Sequence, residues 1–414
     1  MHMDSVKLAA KLTKSMMFRQ RLISLGKRMF LMLPIGGRLR QRIEDFVVEE
    51  IPPTESLHEK LQKKKYGEEE GVHTVFWMEK FNWDTNMAVK ELARKLHVSV
   101  SRIGFAGTKD KRAVTKQRVS VWNIPAEKIK ALIIRDIWFY DFTESQQKLQ
   151  LGDSEGNKFV ITIRDIDLDE RETRRKLEAI FEELEKGIPN LFGPQRFGEV
   201  RRLSHIVGLE MMRKNFDQAC KIYIARAFEG EPEDVMEIRK SMWERWGRVE
   251  AFKRGLKDYP IRFRYERSML DYLAQHPDDF CGALRRLPAR LRKMFINAVQ
   301  ADIWNRAVDG ERLSAGQKEP LPGYNTDLDE KDPIQRKMKK IMADLGITKV
   351  HFKMTGMPEI ATSGGERETL LVPKELKILE IGKDDLNPDK TKAKISFALP
   401  SGSYATVILE KITG

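Results

Sequence analysis

The spacing of hydrophobic residues changes from segment to segment along the chain, and each segment predicts a strand, a helix or a loop. Runs of β-branched and aromatic residues predict strands at Phe46–Val48, Val72–Lys80, Val114–Trp122 and Glu155–Asp167. Apolar residues three and four apart predict two helices. The first runs from a cap at Asp84 or Thr85 to Leu96, and the second covers Arg171–Gly187. Leu61–Gly71 is polar and predicts a loop or hairpin tip.

The pattern becomes mainly helical after about Gly208 and stays so to about Pro320. Gln317–Asp344 is charged and predicts loops. Strand patterns return near the end over Lys394–Ile412, with a turn at Pro400 and Gly402 and strand-like alternation of Tyr404, Thr406 and Ile408 after it. Strands, helices and strands again indicate a helical insertion in a mixed α/β domain whose last strand completes the first sheet. We expect an extension over 1–33, a catalytic domain over 34–208 and 366–414, and an insertion domain over 209–365.

Composition and charge narrow the class of protein. With 414 residues, 41% of them hydrophobic and 33% charged, the chain is expected to fold into more than one compact unit. The net charge of +13 favours a polyanionic partner, nucleic acid first. Cys220, Cys281 and seven histidines show no metal-ligand spacing, and the apolar run Met29–Ile35 is too short to span a bilayer. We therefore expect a cytoplasmic monomer with no metal and no membrane contact.

The stretch Gly104–Trp122 places one carboxylate, Asp110, among several cations. A β-turn that uses Asp110 as a turn former would explain it structurally. A phosphate-binding loop requires G-x-x-x-x-G-K-[ST], and here Lys109 is followed by aspartate. The remaining alternative is an ionised carboxylate that acts as a nucleophile or base, with neighbouring cations stabilising its charge.

Two further stretches become candidates for the functional site only when they are considered together with the stretch around Asp110. In Pro189–Gly198, Phe192 is either a core residue or an aromatic that stacks on a base, with Asn190 and Arg196 as polar neighbours. Phe397 begins the stretch "FALPSGSYAT", which by itself indicates only structure.

Together these stretches resemble the pseudouridine synthase D family of tRNA-modifying enzymes in its archaeal form. G-x-K-D-x-x-A-x-T-x-Q is met from Gly107 to Gln117, P-N-x-F-G-x-Q-R-F-G from Pro189 to Gly198, and F-x-L-P-x-G-x-Y-A-T from Phe397 to Thr406. The stretch "GGRLRQRIEDFVVEEIP" is also similar to the opening motif of the family. The resemblance implies an α+β fold, in which a mixed β-sheet pseudouridine synthase catalytic domain carries a large, mainly helical, family-specific insertion domain, with RNA held between them.

The resemblance also implies the reaction and the roles of individual residues. A uridine of tRNA, often at position thirteen, is detached from its ribose, turned and rejoined through carbon 5 without a cofactor. Asp110 is the implied catalytic carboxylate, which either attacks C1′ or removes the proton at C2′. Phe192 is the implied stacking aromatic for the extruded base, with Asn190 beside it and Phe397 bordering the site.

The cation beside the carboxylate is a lysine in bacterial members, within K-x-x-P-E-D-F. That position falls here on Arg40, with Glu44 at the matching spacing, Ile43 in place of the proline and Arg42 as the competing candidate. Lys109 is a further substrate-site candidate, with its charge directed at either the sheet end or the RNA. The alternatives to a synthase are an RNA-binding protein with an inactive synthase fold and an unrelated P-loop nucleoside triphosphatase.

Overall fold

A computed structural model describes residues 34–53, 72–198 and 201–414 of the chain. The predictions for residues 1–33 and for Leu61–Gly71 lie outside these ranges. The described residues form two compact units. The first unit comprises the described residues up to Gly187 together with Val372–Gly414, and the second comprises the described residues of Ile188–Leu371.

The strands of the two units follow in chain order. They are β1 (Arg38–Leu39), β2 (Phe46–Ile51), β3 (His73–Phe81), β4 (Ile103–Phe105), β5 (Val114–Trp122), β6 (Ile137–Ser145), β7 (Gly156–Ile166), β8 (Ile188–Pro189), β9 (Lys318–Leu321), β10 (Gly365–Glu368), β11 (Leu370–Leu371), β12 (Lys374–Lys383) and β13 (Thr391–Pro400). The four strands predicted before residue 170 are thus confirmed, with β2 extended to Ile51.

The helices are numbered in the same way. They are α1 (Thr85–Leu96), α2 (Ala126–Lys130), α3 (Glu170–Glu185), α4 (Ser204–Met212), α5 (Phe216–Ala225), α6 (Glu233–Glu244), α7 (Val249–Asp258), α8 (Arg264–Gln275), α9 (Phe280–Arg285), α10 (Ala289–Val308), α11 (Pro333–Asp344) and α12 (Ala405–Thr413). The side chain of Asp84 accepts the amides of Asn86 and Met87, which confirms it as the cap of α1. In the described part of the chain, no helix has the length and apolar character needed to cross a membrane.

A nine-stranded mixed sheet forms the centre of the first unit. Its order is β12-β13-β7-β2-β5-β3-β6, with β1 paired to β7 and β4 paired to β5. The C-terminal strand β13 pairs along β7, so the prediction that it completes the first sheet is confirmed. The pair β2–β5 is parallel and β3–β5 is antiparallel. Helix α1 packs against one part of this sheet through Leu92 and Val89, which are buried with Phe76 and Val119.

The end of the chain departs from the prediction. Ala405–Thr413 is helix α12, whereas alternating Tyr404, Thr406 and Ile408 predicted a strand. The turn at Gly402, whose φ is +82°, ends the extended backbone, and four apolar side chains then become buried at helical spacing, namely Val407, Ile408, Leu409 and Ile412. The apolar run is so short that it fits both the helical and the strand period, and packing against neighbouring elements decides between them.

The second unit is mainly helical, as the pattern after Gly208 predicts. Its core gathers side chains from α4, α5, α8 and α10, and Trp304 of α10 is fully buried in it. Helix α4 crosses α10 closely, because a Cβ on Gly208 would lie 2.2 Å from the carbonyl oxygen of Phe295. The prediction of loops over Gln317–Asp344 is wrong at both ends, where β9 and the twelve-residue α11 form.

The two units begin and end elsewhere than the domains that the sequence predicts. The second unit starts at Ile188, before the predicted border at 208/209, because β8 pairs with β11 and so belongs with the residues up to Leu371. Its other limit lies at 371/372 instead of 365/366. The functional domain boundaries stay a prediction.

Candidate active site

Three chain segments meet at one edge of the large sheet. In the parallel pair, Val47 of β2 lies opposite Val114 of β5, so the residues that precede both strands emerge at the same edge. In the antiparallel pair, Phe81 at the end of β3 also lies opposite Val114. This edge therefore combines the segment before β2, the turn before β5 and the chain that leaves β3.

Asp110 lies in the turn between β4 and β5 and forms an ion pair at this edge. The guanidinium of Arg40 donates to its Oδ2 at 2.5 Å, while the Asp110 side chain stays 47% exposed. Arg40 has a left-handed backbone, with φ of +58°, and its guanidinium lies 3.9 Å from the centroid of the Phe46 ring. The carboxylate is thus both held in one orientation and accessible to another molecule.

A row of aromatic rings continues behind Arg40. Phe46 meets Phe159 edge-on with centroids 6.3 Å apart, and Phe159 stacks on Phe397 at 5.3 Å. Phe397 is fully buried. Its ring therefore supports the surface on which Arg40 rests, and does not itself face the exposed carboxylate.

Lys109 is directed into the protein, toward the sheet. Its side chain is 7% exposed, and its ammonium group lies 3.4 Å from Glu50, which is fully buried on β2. Arg118 of β5 approaches the other oxygen of Glu50 at 3.6 Å. Burial raises the pKa of Glu50 above its ordinary value, although the charges of Lys109 and Arg118 lower it in part. Of the two directions expected for the charge of Lys109, the structure has the one toward the sheet.

Buried polar side chains hold the backbone of the turn. The amide of Lys109 donates to Thr85 Oγ1 at 2.9 Å, and Gln117 donates to the carbonyl of Gly107 at 3.0 Å. Thr85 also donates to Gln117 Oε1 at 3.0 Å. Gly104 is required by packing, since a Cβ there would lie 2.3 Å from the carbonyl oxygen of Leu149. The conformation of the turn is therefore fixed from within the protein.

Glu44 and Arg42 line an open cavity next to the turn. The cavity has a volume of about 640 Å³, and its other lining residues are Gln41, Ile43, Asn82, Lys111 and Arg112. Arg42 donates to Asp385 at 2.8 Å. Of the two arginines considered for the carboxylate's partner, Arg40 is thus the one that contacts Asp110.

A charge cluster with three buried members and one exposed member fixes the segment that carries these arginines. Arg164 of β7 binds Asp45 at 2.8 Å, Asp384 at 2.8 Å and Asp385 at 2.7 Å. Asp45 also accepts the amide of Arg42 at 2.7 Å. We call these four residues, Arg164, Asp45, Asp384 and Asp385, the Arg164 cluster. The cluster ties the start of β2 to the loop between β12 and β13.

Asn190 and Phe192 belong to the second unit, where Arg367 contacts both. Arg367 donates to Asn190 Oδ1 at 2.7 Å, and its guanidinium lies 4.0 Å from the centroid of the half-buried Phe192 ring. Asn305 of α10 accepts the amide of Phe192 at 2.8 Å and donates to its carbonyl at 2.9 Å. The backbone that presents the ring is thus fixed by a side chain more than one hundred residues away.

Four residues of this region were not predicted from the sequence, namely Lys80, Glu50, Arg367 and Asn305. A lysine inside the β-branched and aromatic run of β3 was a usable signal, because a charged residue near the end of a buried strand requires a partner. Arg367 and Asn305 gave no local signal, since their partners are distant in sequence. Within the described residues, no group of three or more His, Cys, Asp or Glu side chains is arranged to hold a metal ion.

Comparisons with known proteins identify the family. The family model described as tRNA pseudouridine synthase D (TruD) matches residues 24–319 and 311–412. A probable tRNA pseudouridine synthase D of Methanosarcina acetivorans is 36% identical over 91% of this chain and 92% of its own. A protein of the same name from Methanopyrus kandleri is 34% identical over 83% and 86%.

A solved structure agrees with the sequence matches. A crystal structure that carries the name tRNA pseudouridine synthase D, from Methanosarcina mazei, superposes on this protein with a TM-score of 0.71 and is 33% identical in sequence. The match covers 95% of this chain and 97% of that one. Motifs, fold and relatives agree over nearly the whole length, and the chain belongs to the tRNA pseudouridine synthase D family.

Proposed function

We propose that this enzyme isomerises the uridine at position thirteen of tRNA and that Asp110 is its reacting carboxylate. Membership of the family makes the chain an isomerase that converts uridine to pseudouridine in tRNA. The observation that supports the assignment of Asp110 is its half-exposed carboxylate, paired with Arg40 at 2.5 Å. Position thirteen is supported by the motif resemblance alone.

The reaction breaks the bond between N1 of the base and C1′ of the ribose and forms a bond from C5 to C1′. C5 releases its proton and N1 takes up a proton, so that the product is an isomer of the substrate. Asp110 either attacks C1′ or removes the proton at C2′, and the ion pair with Arg40 serves both routes by orienting the carboxylate. The uridine reaches Asp110 only when it is extruded from its stack, as for other enzymes that act on bases.

The other site residues take supporting parts in this proposal. Phe192 stacks on the extruded base, and Asn190, joined to Arg367, holds the loop that carries it. Glu44 contacts the nucleotide from the open cavity. Lys109 anchors the turn through Glu50, and Phe397 supports Arg40 through the aromatic row.

Release of tritium from tRNA transcripts labelled with 5-³H-uridine tests the role of Asp110. We expect release with the wild-type protein and none with Asp110→Asn, while tRNA affinity changes by less than about threefold, because the substitution keeps the side-chain volume and removes only the charge. Near-normal release by Asp110→Asn would refute the assignment. Absence of release by both proteins, with tRNA still bound, would favour an RNA-binding protein with an inactive synthase fold.

The target uridine is tested with a second transcript in which position thirteen carries cytidine. We expect the stoichiometric release of tritium to fall by one equivalent per tRNA molecule. Unchanged release from this transcript would assign the reaction to another uridine and leave the role of Asp110 intact.

A further inference from the structure

Lys80 is fully buried, and its hydrogen bonds within the described residues go to backbone carbonyls and not to a carboxylate. It lies on β3 opposite Thr115 of β5, at the sheet edge that carries the catalytic turn. Burial of an ammonium group without a carboxylate partner is unfavourable, so a position of this kind requires an explanation beyond packing.

The ammonium group of Lys80 contacts the backbone at two points. It donates to the carbonyl of Trp83 at 2.5 Å and to the carbonyl of Asp110 at 3.3 Å. The second contact is to the peptide of the reacting residue itself. The neighbouring chain is joined to the same turn, because the amide of Asn82 donates to the carbonyl of Ala113 at 3.1 Å.

Charged groups around Lys80 act in opposite directions. Burial lowers its pKa to about 8, while the charges of Asp84 and Asp110 raise it and that of Lys109 lowers it. The group therefore changes its charge within the pH range in which enzymes are assayed.

We propose that Lys80 is a positioning residue of the isomerisation: its protonated ammonium holds the peptide of Asp110, and thereby keeps the carboxylate directed at Arg40. Loss of the proton weakens the charge-assisted hydrogen bond to that peptide and removes a positive charge beside the carboxylate. The inference rests on the proposed role of Asp110. It adds that the turn is competent only while Lys80 is charged.

The alternative is that Lys80 only completes the packing of the sheet edge. Both ideas predict that substitution harms the protein, so stability does not separate them. The pH dependence of the chemical step does, because a packing role gives no reason for that step to follow the charge of Lys80.

The test measures single-turnover tritium release between about pH 6 and about pH 9.5, with tRNA affinity measured at each pH. For the wild-type protein we expect the rate constant to fall above a midpoint near pH 8, with little change in affinity. Lys80→Met should be slower by about tenfold to a hundredfold at pH 7, since a misplacement of about 1 Å has effects of this size. It should also lack the alkaline fall.

Two further variants make the result specific. In Lys80→Arg the cation stays protonated over the whole range, so its remaining activity should not fall at alkaline pH. Lys158→Met changes a lysine of the same sheet that is 46% exposed, and should keep the wild-type rate and profile.

Three results would overturn the inference: a flat wild-type profile, an alkaline fall retained in Lys80→Arg, or a Lys80→Met rate within twofold of wild type. If neither Lys80 variant folds, a flat wild-type profile still overturns the inference, and a fall near pH 8 at unchanged affinity supports it. Failure here is separate from failure of the proposed function, because an inactive Asp110→Asn protein supports the role of Asp110 whatever the profiles show.

Discussion

Asp384 of the Arg164 cluster gives a stability prediction whose magnitude follows from the structure. Its side chain is fully buried and accepts hydrogen bonds from Arg164, the amide of Asp165, the amide of Leu386 and the side chain of Asn387, at 2.7 to 2.9 Å. Burial raises the pKa of Asp384, but the hydrogen bonds outweigh it and lower the pKa from 3.8 to about 2. The folded protein therefore stabilises the charged form.

The difference from the ordinary value corresponds to about 2 kcal/mol, at about 1.4 kcal/mol for each pKa unit. Because the folded-state pKa is the lower one, this stability is fully present above about pH 4 and is lost as the pH falls toward about 2. At pH 3 about half of it is gone. Asp384→Asn removes the charge, and should therefore lower the free energy of unfolding by about 2 kcal/mol at pH 7 and by clearly less at pH 3.

Urea unfolding followed by circular dichroism at pH 7 and pH 3 measures both effects. Asp167→Asn is the matched control, since this carboxylate is 82% exposed in its ion pair with Lys390 and should change the free energy of unfolding by less than about 0.5 kcal/mol. If Asp384→Asn matched the control at pH 7, or lost as much stability at pH 3 as at pH 7, the stabilisation of the charged carboxylate would be refuted.

Two other predictions concern the RNA-binding function. Asn305→Ala removes the two hydrogen bonds that Asn305 forms with the backbone of Phe192, so we expect it to lower the free energy of unfolding by about 2 to 4 kcal/mol and to raise KM for tRNA more than it lowers kcat. Asp302→Ala on the same helix should do neither, and equal kinetics of the two variants would contradict the role of the Phe192 loop. The protein has a net charge of +13, so we expect its affinity for tRNA to fall steeply as the salt concentration rises. A plot of the logarithm of the binding constant against the logarithm of the salt concentration should have a slope of about −0.7 to −0.9 for each phosphate contacted. Filter-binding titrations that show a flat dependence would argue against a broad basic contact.

Local sequence was sufficient for most elements of the large sheet. The run of β3 and the alternation of β5 predict strands because their side chains pack on a pleated surface, and the cap at Asp84 is a contact within three residues. The strand predicted over the last ten residues is wrong, because a short apolar run fits both a strand and α12, and only burial against neighbouring elements selects one.

The candidate site also combines features that the sequence predicts with features that depend on tertiary contacts. The motif around Asp110 indicates the family from the chain alone and contains the carboxylate that we propose as the reacting group. Whether Arg40 or Arg42 would meet that carboxylate was open, because the answer depends on the parallel pairing of β2 with β5 and on Asp385, which lies more than three hundred residues beyond both arginines.

The sequence by itself therefore determined four strands of the large sheet, the first helix cap, the basic character of the chain and the motif that carries the carboxylate we propose as the reacting group. Tertiary structure decided the direction of Lys109 toward Glu50, the burial of Phe397 behind Arg40 and the contact of Lys80 with the turn that carries Asp110. The physical reason is the range of the interactions. Strand propensity and capping act over a few residues, whereas the partner of a buried charge is set by which distant segments the sheet brings to the same edge.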